Sequence, residues 1–171
     1  MQETITFNWE DGSMTICLNE FFPCSAERLY KLLDTIREEP VYDRREETYN
    51  RICRYLYDAA RDLEEKLPDL NAAARSSGAS ASSAFRALEK TREKIRTLQS
   101  KMPGKDMVQR KKIREQIEVM RQLRDTQNRA LKQAREYAYQ AGRDRVLTQR
   151  KVDRLRQNRE QVLRWRKQKN V

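Results

Sequence analysis

Downstream of Gly142 the chain sets out a dense row of cations: Arg143, Arg145, Arg150, Lys151, Arg154, Arg156, Arg159, Arg164, Arg166, Lys167 and Lys169. Only Asp144, Asp153 and Glu160 oppose them. Arginine dominates, and its planar guanidinium suits bidentate contact with phosphate. Trp165 lies among these charges. It would stack on a nucleobase or anchor an apolar seam together with Val162, and the sequence leaves both readings open. These eleven cations and Trp165 are the predicted nucleic-acid-binding residues. No base-reading motif accompanies them, so binding directed by phosphate or shape is expected in place of sequence-specific readout. A solvated helix with pairs such as Glu160 with Arg164 would offset only part of the excess.

Other chemistry finds little support. The chain has no histidine, which excludes Ser-His and Cys-His nucleophiles and any His-containing metal site. Glu38-Glu39, Glu46-Glu47 and Glu64-Glu65 are adjacent carboxylates, but neighbours on a helix diverge by about 100° and do not converge on a substrate. The four glycines match neither phosphate-loop nor dinucleotide spacing. Cys17, Cys24 and Cys53 are odd in number and lack zinc-site spacing, so they read as reduced thiols of a cytoplasmic protein. The expectation is a non-enzymatic protein without cofactor or metal. No apolar run approaches the roughly 18 residues that cross a membrane, and no secretory leader is visible. A basic amphipathic helix can lie on anionic lipid, but Val152, Leu155, Val162, Leu163 and Trp165 make only a narrow apolar face, so no membrane partner is expected.

The element that must position the cations is the stretch Met107–Lys169. It has no proline, one glycine and a surplus of Gln, Arg, Lys, Glu, Leu and Ala, a composition that favours helix. A seam runs through Ile113, Ile117, Met120, Arg124, Gln127, Leu131, Ala134, Ala138, Ala141, Arg145, Thr148, Val152, Leu155, Arg159 and Val162. Gly142 costs about 1 kcal/mol relative to alanine in a helix and marks a candidate bend. Before this stretch, Leu88, Thr91, Ile95, Leu98 and Met102 form a short a/d seam on a helix over 84–102. Pro103-Gly104-Lys105-Asp106 breaks the helical pattern, and Asp106 can cap the next helix, with Gln109 three residues on. So short a break indicates an antiparallel helical hairpin, with Leu88, Ile95, Leu98, Met102, Ile113, Ile117 and Met120 at its interface. The seam beyond about residue 125 then lacks a partner. The N-terminal region, a homodimer or a foreign macromolecule would have to cover it.

Upstream, Ile5 to Trp9 and Met14 to Leu18 alternate apolar with polar residues around Asp11-Gly12. That dipeptide predicts a type I′ hairpin over 4–18, pairing Trp9 with Met14, Phe7 with Ile16 and Ile5 with Leu18. Ser25 caps a helix predicted over 26–38, with Leu29, Leu32, Leu33 and Ile36 on one face. Asp43 caps a second helix over 44–67, with Ile52, Leu56, Ala59, Ala60, Leu63 and Leu67 inward, and Pro68 stops it. Residues 1–70 therefore read as a small acidic α+β head. Residues 71–83, rich in Ser, Ala and Gly, read as a flexible linker or a loop ordered by a partner. The basic helical hairpin fills 84–171. The fold class is mainly α: a β-hairpin packed on two helices, then a long antiparallel coiled coil with an extended basic C-terminal helix.

Composition agrees with narrow seams, because 37% of residues are hydrophobic and 37% charged, whereas a coiled-coil seam needs only about two apolar positions in seven. Charge is uneven: residues 1–70 carry a net −7 and residues 71–171 a net +18. Either the basic part meets a polyanion, or the acidic part docks on it within the molecule or a dimer.

In build, the short β start (Ile5 to Leu18), the acidic helices and the long Arg-rich helix resemble the small orphan proteins of phages and mobile elements, including anti-CRISPR inhibitors. The resemblance implies a non-enzymatic protein that engages a nucleic-acid-handling complex. The basic helix would compete for a nucleic-acid channel, and the acidic head would contact basic protein surface. It transfers no functional residue. Two classes of function follow: a binding protein for nucleic acid or a nucleoprotein complex, inhibitory toward a CRISPR-type nuclease, and a structural coiled-coil scaffold that acts by self-association.

Overall fold

A computed structural model describes residues 4–9, 12–17, 24–37 and 42–169. The chain order is β1 (Thr4–Trp9), β2 (Gly12–Cys17), α1 (Ala26–Arg37), α2 (Tyr42–Glu64), α3 (Leu67–Ser100) and α4 (Met107–Lys169). The fold is mainly helical. It divides into two compact units: Met1–Pro68 with Val146–Val171, and Asp69–Arg145. More than a third of α4, residues 146–169, thus belongs with the head, which corrects the division into a head over 1–70 and a separate hairpin over 84–171. No described helix is long and apolar enough to cross a membrane.

In the first unit β1 pairs antiparallel with β2 in the register Ile5 with Ile16, Phe7 with Met14 and Trp9 with Gly12. The expected register is off by two residues. A shift of two preserves the alternation of apolar and polar positions, so the apolar pattern fits either register and only the turn distinguishes them. The turn residues 10 and 11, Leu18, and the expected cover over the strand side chains lie outside the described residues. Helix α1 starts where Ser25 caps it, its hydroxyl oxygen accepting from the Arg28 backbone N–H at 3.3 Å. Helix α2 begins one residue before Asp43, which therefore sits in the first turn and not in the cap. It ends at Glu64, three residues earlier than expected. Pro68 does not stop α2; it occupies the first turn of α3, where a missing N–H costs nothing.

The core of this unit joins three helices. Leu29, Leu33 and Ile36 of α1 and Tyr49, Ile52, Leu56 and Ala60 of α2 form one cluster with Leu155 and Val162 of α4. Asn158 is buried with them, and its side-chain amide donates to the Cys24 carbonyl at 3.2 Å. That bond satisfies a polar group that would otherwise be costly to bury.

The second unit is a helical hairpin. Residues 71–83, expected to be a flexible linker, are helical and continuous with the rest of α3. Alanine is the best helix former and supplies positions 72, 73, 74, 79, 81 and 84. Covered positions of α3 recur at 74, 77, 81, 84, 88, 91, 95 and 98, alternating steps of three and four, and Met102 just past its end keeps the spacing. Those of α4 recur at 113, 117, 120, 124, 127, 131, 134, 138 and 141. Ala74, Ser77, Ala81 and Ala84 thus extend the seam with small side chains, and small residues let helix backbones approach closely. Ser77 and Ser80 line one groove with Ala134 and Ala141.

Between the two helices Lys105 N–H donates to the Met102 carbonyl at 3.4 Å. Pro103 takes the second turn position and Gly104 the third with φ of 81°, which only glycine adopts cheaply. Asp106 then caps α4, its carboxylate accepting from the Gln109 N–H at 2.7 Å. Helix α4 continues through Gly142 without a break.

Candidate nucleic-acid interface

The predicted cations divide by what surrounds them. Arg166 pairs with Glu46, whose side chain is only 17% exposed, and donates to the Asn50 side-chain oxygen at 2.9 Å. Arg156 pairs with Glu64. The Arg159 guanidinium lies 5.4 Å from the Tyr57 ring centroid. Arg164 reaches Glu160 at 3.6 Å along its own helix. Arg156, Arg159 and Arg166 are therefore engaged inside the head unit, whereas the Arg164 pair is an exposed one along the helix surface. Arg143, Arg145, Arg150, Lys151, Arg154 and Lys167 are exposed, with no ion pair to a carboxylate among the described residues. The side chain of Lys169 lies outside the described residues.

Trp165 belongs to the head core. It packs on the apolar cluster, its ring tilted against Tyr30 with centroids 5.4 Å apart. Of its two open readings, the seam anchor matches this placement. Burial pushes the Tyr49 hydroxyl up from its ordinary value, and the neighbouring Trp165 indole opposes that in part. Burial likewise raises the Cys53 thiol, with Arg159 and Arg166 pulling weakly the other way.

The hairpin-interface residues lie together in the second unit. Leu88, Ile95 and Ile117 are buried, and Leu98, Met102, Ile113 and Met120 are half-buried. Gln127 and Arg124 hold seam positions between them and are half-buried. The buried Thr91 hydroxyl is satisfied by the Ala87 carbonyl at 3.2 Å.

Unit by unit, the charge settles differently from the half-by-half sum. In the first unit 18 Lys/Arg face 17 Asp/Glu, a net of +1. In the hairpin unit 19 Lys/Arg face nine Asp/Glu, a net of +10. At the hairpin's turn end Lys101, Lys105, Arg110, Lys111, Lys112 and Arg114 are all exposed, with Asp106 as the sole acid in that stretch. Sequence reasoning passed over this concentration because the row after Gly142 is denser in arginine. The signal that would have found it is the match between the acid of residues 1–68, with 15 Asp/Glu against nine Lys/Arg, and the base of residues 146–171, with nine against two.

Arginines also follow one side of the hairpin. Arg92, Arg96, Arg121 and Arg124 line a groove of about 400 Å³. Arg92 continues with Lys132, Arg135, Phe85 and Tyr139 into a second groove of about 480 Å³. Several of these arginines hold surface carboxylates: Arg92 to Glu89 at 2.7 Å, Arg96 to Glu93 at 3.3 Å and Arg124 to Asp125 at 2.8 Å. Such pairs are worth about 0–1 kcal/mol, little against exchange for a phosphate. Among the described residues, no group of three or more His, Cys, Asp or Glu is placed to hold a metal ion. Comparison with protein-family models, with curated proteins and with solved structures returns no match.

Proposed function

We propose that the chain is a non-enzymatic nucleic-acid-binding protein whose phosphate-binding surface is the α3–α4 hairpin unit, Asp69–Arg145. The supporting observation is the division of charge. The head unit nearly neutralises the C-terminal arginines with its own acids, and the hairpin keeps a net +10. A surface of that charge releases condensed counterions when it meets a phosphate backbone, and this release supplies sequence-independent affinity. Arg143 and Arg145 are exposed members of that excess, and Arg150, Lys151 and Arg154, counted with the head, are exposed as well. Arg156, Arg159, Arg166 and Trp165 serve the head's structure. The inhibitory role implied by the resemblance to anti-CRISPR proteins would act through the same surface, by competition for a nucleic-acid channel.

The test is fluorescence anisotropy with labelled DNA and RNA over a salt series. Binding at low salt should weaken steeply, by about 10³- to 10⁵-fold between 50 and 200 mM salt if six to ten phosphates are contacted. Replacing Lys105, Arg110, Lys111 and Lys112 together by Gln should flatten the salt slope by roughly 0.9 for each phosphate no longer neutralised. The same exchange at Arg156 and Arg166 should leave the slope unchanged. A protein that retains no nucleic acid at low salt and forms oligomers at moderate salt is a scaffold acting by self-association, and the proposal fails.

A further inference from the structure

We propose that the arginine-lined side of the hairpin is a track for single-stranded nucleic acid, with Phe85 and Tyr139 as its base-stacking platform. The inference rests on the nucleic-acid reading above and adds the ligand class and the residues that select it. Two observations carry it. First, the two grooves on this side share Arg92 and Asn128, so they adjoin and make one track along the hairpin. On α4 it runs from Arg121 to Tyr139, 18 residues or about 27 Å at 1.5 Å per residue. That length holds at most about eight nucleotides at a stacked spacing of about 3.4 Å.

Second, aromatic rings are exposed at one end of this channel. Phe85 is 43% and Tyr139 67% exposed, and neither occupies a covered seam position. The hairpin interface therefore does not account for them. The Arg135 guanidinium lies over the Phe85 ring, 6.0 Å from its centroid, so a cation already stands against this aromatic platform. Cations that follow a backbone, interleaved with aromatic faces that accept any base, are the parts a single strand needs. A duplex keeps its bases stacked inside and gains nothing from exposed rings. The turn end of the hairpin offers cations with no aromatic side chain between residues 101 and 114. Discrimination between single and double strands therefore falls to the Phe85–Tyr139 end.

The test compares a single strand of roughly a dozen nucleotides, long enough to fill the channel, with the corresponding duplex. Full-length protein carries Phe85→Leu or Tyr139→Leu, which keep apolar bulk and remove the ring. Phe85→Tyr and Tyr139→Phe keep the ring. Each leucine variant should lose about 5- to 150-fold in single-strand affinity, the range for one stacked base. Duplex affinity should stay within about twofold, because phosphate contacts are untouched. The ring-preserving variants should bind like the parent. Leucine variants that bind single strands as the parent does, or that weaken both ligands equally, overturn the track and leave the phosphate-binding reading standing. If the parent retains neither ligand at low salt, both are refuted.

Discussion

Leu155 tests whether the end of α4 is a core strut or a free basic arm. It is 1% exposed and sits in one cluster with Leu29, Leu33, Ile36, Ile52 and Leu56. Leu155→Ala removes buried methyl groups and leaves a cavity bounded by three helices, at a cost of about 2–5 kcal/mol. Leu147 lies eight residues earlier on the same helix and is 41% exposed. Its alanine variant should stay within about 0.5 kcal/mol, as surface changes do. A global melt would blur the difference, because two compact units need not unfold together. A reporter inside the head is preferable. Cys24 is 2% exposed and belongs to the same cluster, so its thiol reacts only when the head opens. At a loss of about 3 kcal/mol the open fraction rises by roughly 150-fold, one decade per 1.4 kcal/mol. Pulse labelling with a thiol reagent under native conditions, read peptide by peptide by mass spectrometry, measures that rise directly. Leu155→Ala should accelerate Cys24 labelling by about two decades, and Leu147→Ala by less than about threefold. Equal labelling rates in the two variants would show that the C-terminal segment does not complete the head.

Two further outcomes concern the backbone and the titrating groups. Gly78 and Gly142 both lie inside helices, and a Cβ added at either meets nothing within 4 Å. Gly78→Ala and Gly142→Ala should each stabilise by about 0.5–1 kcal/mol, a rise of roughly 1–4 °C in melting temperature for a chain of this size; a fall at Gly142 would show that α4 needs a hinge there. Burial raises the Cys53 thiol and the Tyr49 hydroxyl. The folded state therefore favours their protonated forms, and that stability is complete below the unfolded-state values of about 8.5 and 10. It is lost as pH climbs from there through the raised folded values. Urea midpoints should fall faster above about pH 8.5 in the parent than in Cys53→Ala, and parallel curves would refute the assignment to Cys53.

Much of the hairpin was legible because periodicity is a local property. The spacing of Ile113, Ile117, Met120, Leu131, Ala134, Ala138 and Ala141 identifies one face of α4 with no reference to a partner. The same holds for Leu88, Ile95 and Leu98 on α3, and for the caps at Ser25 and Asp106. Residues 71–83 were misread because composition and periodicity disagree there. Ser and Gly suggest a linker, whereas Ala74, Ser77, Ala81 and Ala84 keep the three-four spacing. Small seam residues carry meaning only beside a complementary helix, and Ala134, Ala138 and Ala141 lie some 60 residues further on. Position 158 was missed for a subtler reason. A strict three-four alternation from Val152 and Leu155 selects Arg159, whereas an α-helix with 3.6 residues per turn brings Asn158 inward as well. In the structure Asn158 is buried and Arg159 half-buried.

The charge of the C-terminal segment was the most visible feature of the sequence and the least direct guide to its role. A run of arginine on a helix looks the same whether its partner is a phosphate backbone or a set of carboxylates far away in the chain. What separates the two is the burial of the residues between the charges. Leu155 and Val162 are each at most 1% exposed and cluster with α1 and α2 residues, so one face of this segment is already committed to those helices. That commitment carries Arg156 to Glu64 and Arg166 to Glu46. The α3–α4 hairpin has no comparable supply of acid: nine carboxylates are spread over 77 residues that hold 19 cations. Self-repulsion of that size destabilises an isolated hairpin, and the narrow seam of alanine, serine and a few leucines and isoleucines offers modest apolar burial to oppose it. A polyanion relieves the repulsion by binding. Ligand binding should therefore stabilise the hairpin more than the head, seen as a larger slowing of amide exchange along 69–145 than along 155–168 when nucleic acid is added at low salt. Equal protection of both segments would show that the charge excess of the hairpin is not what the ligand meets.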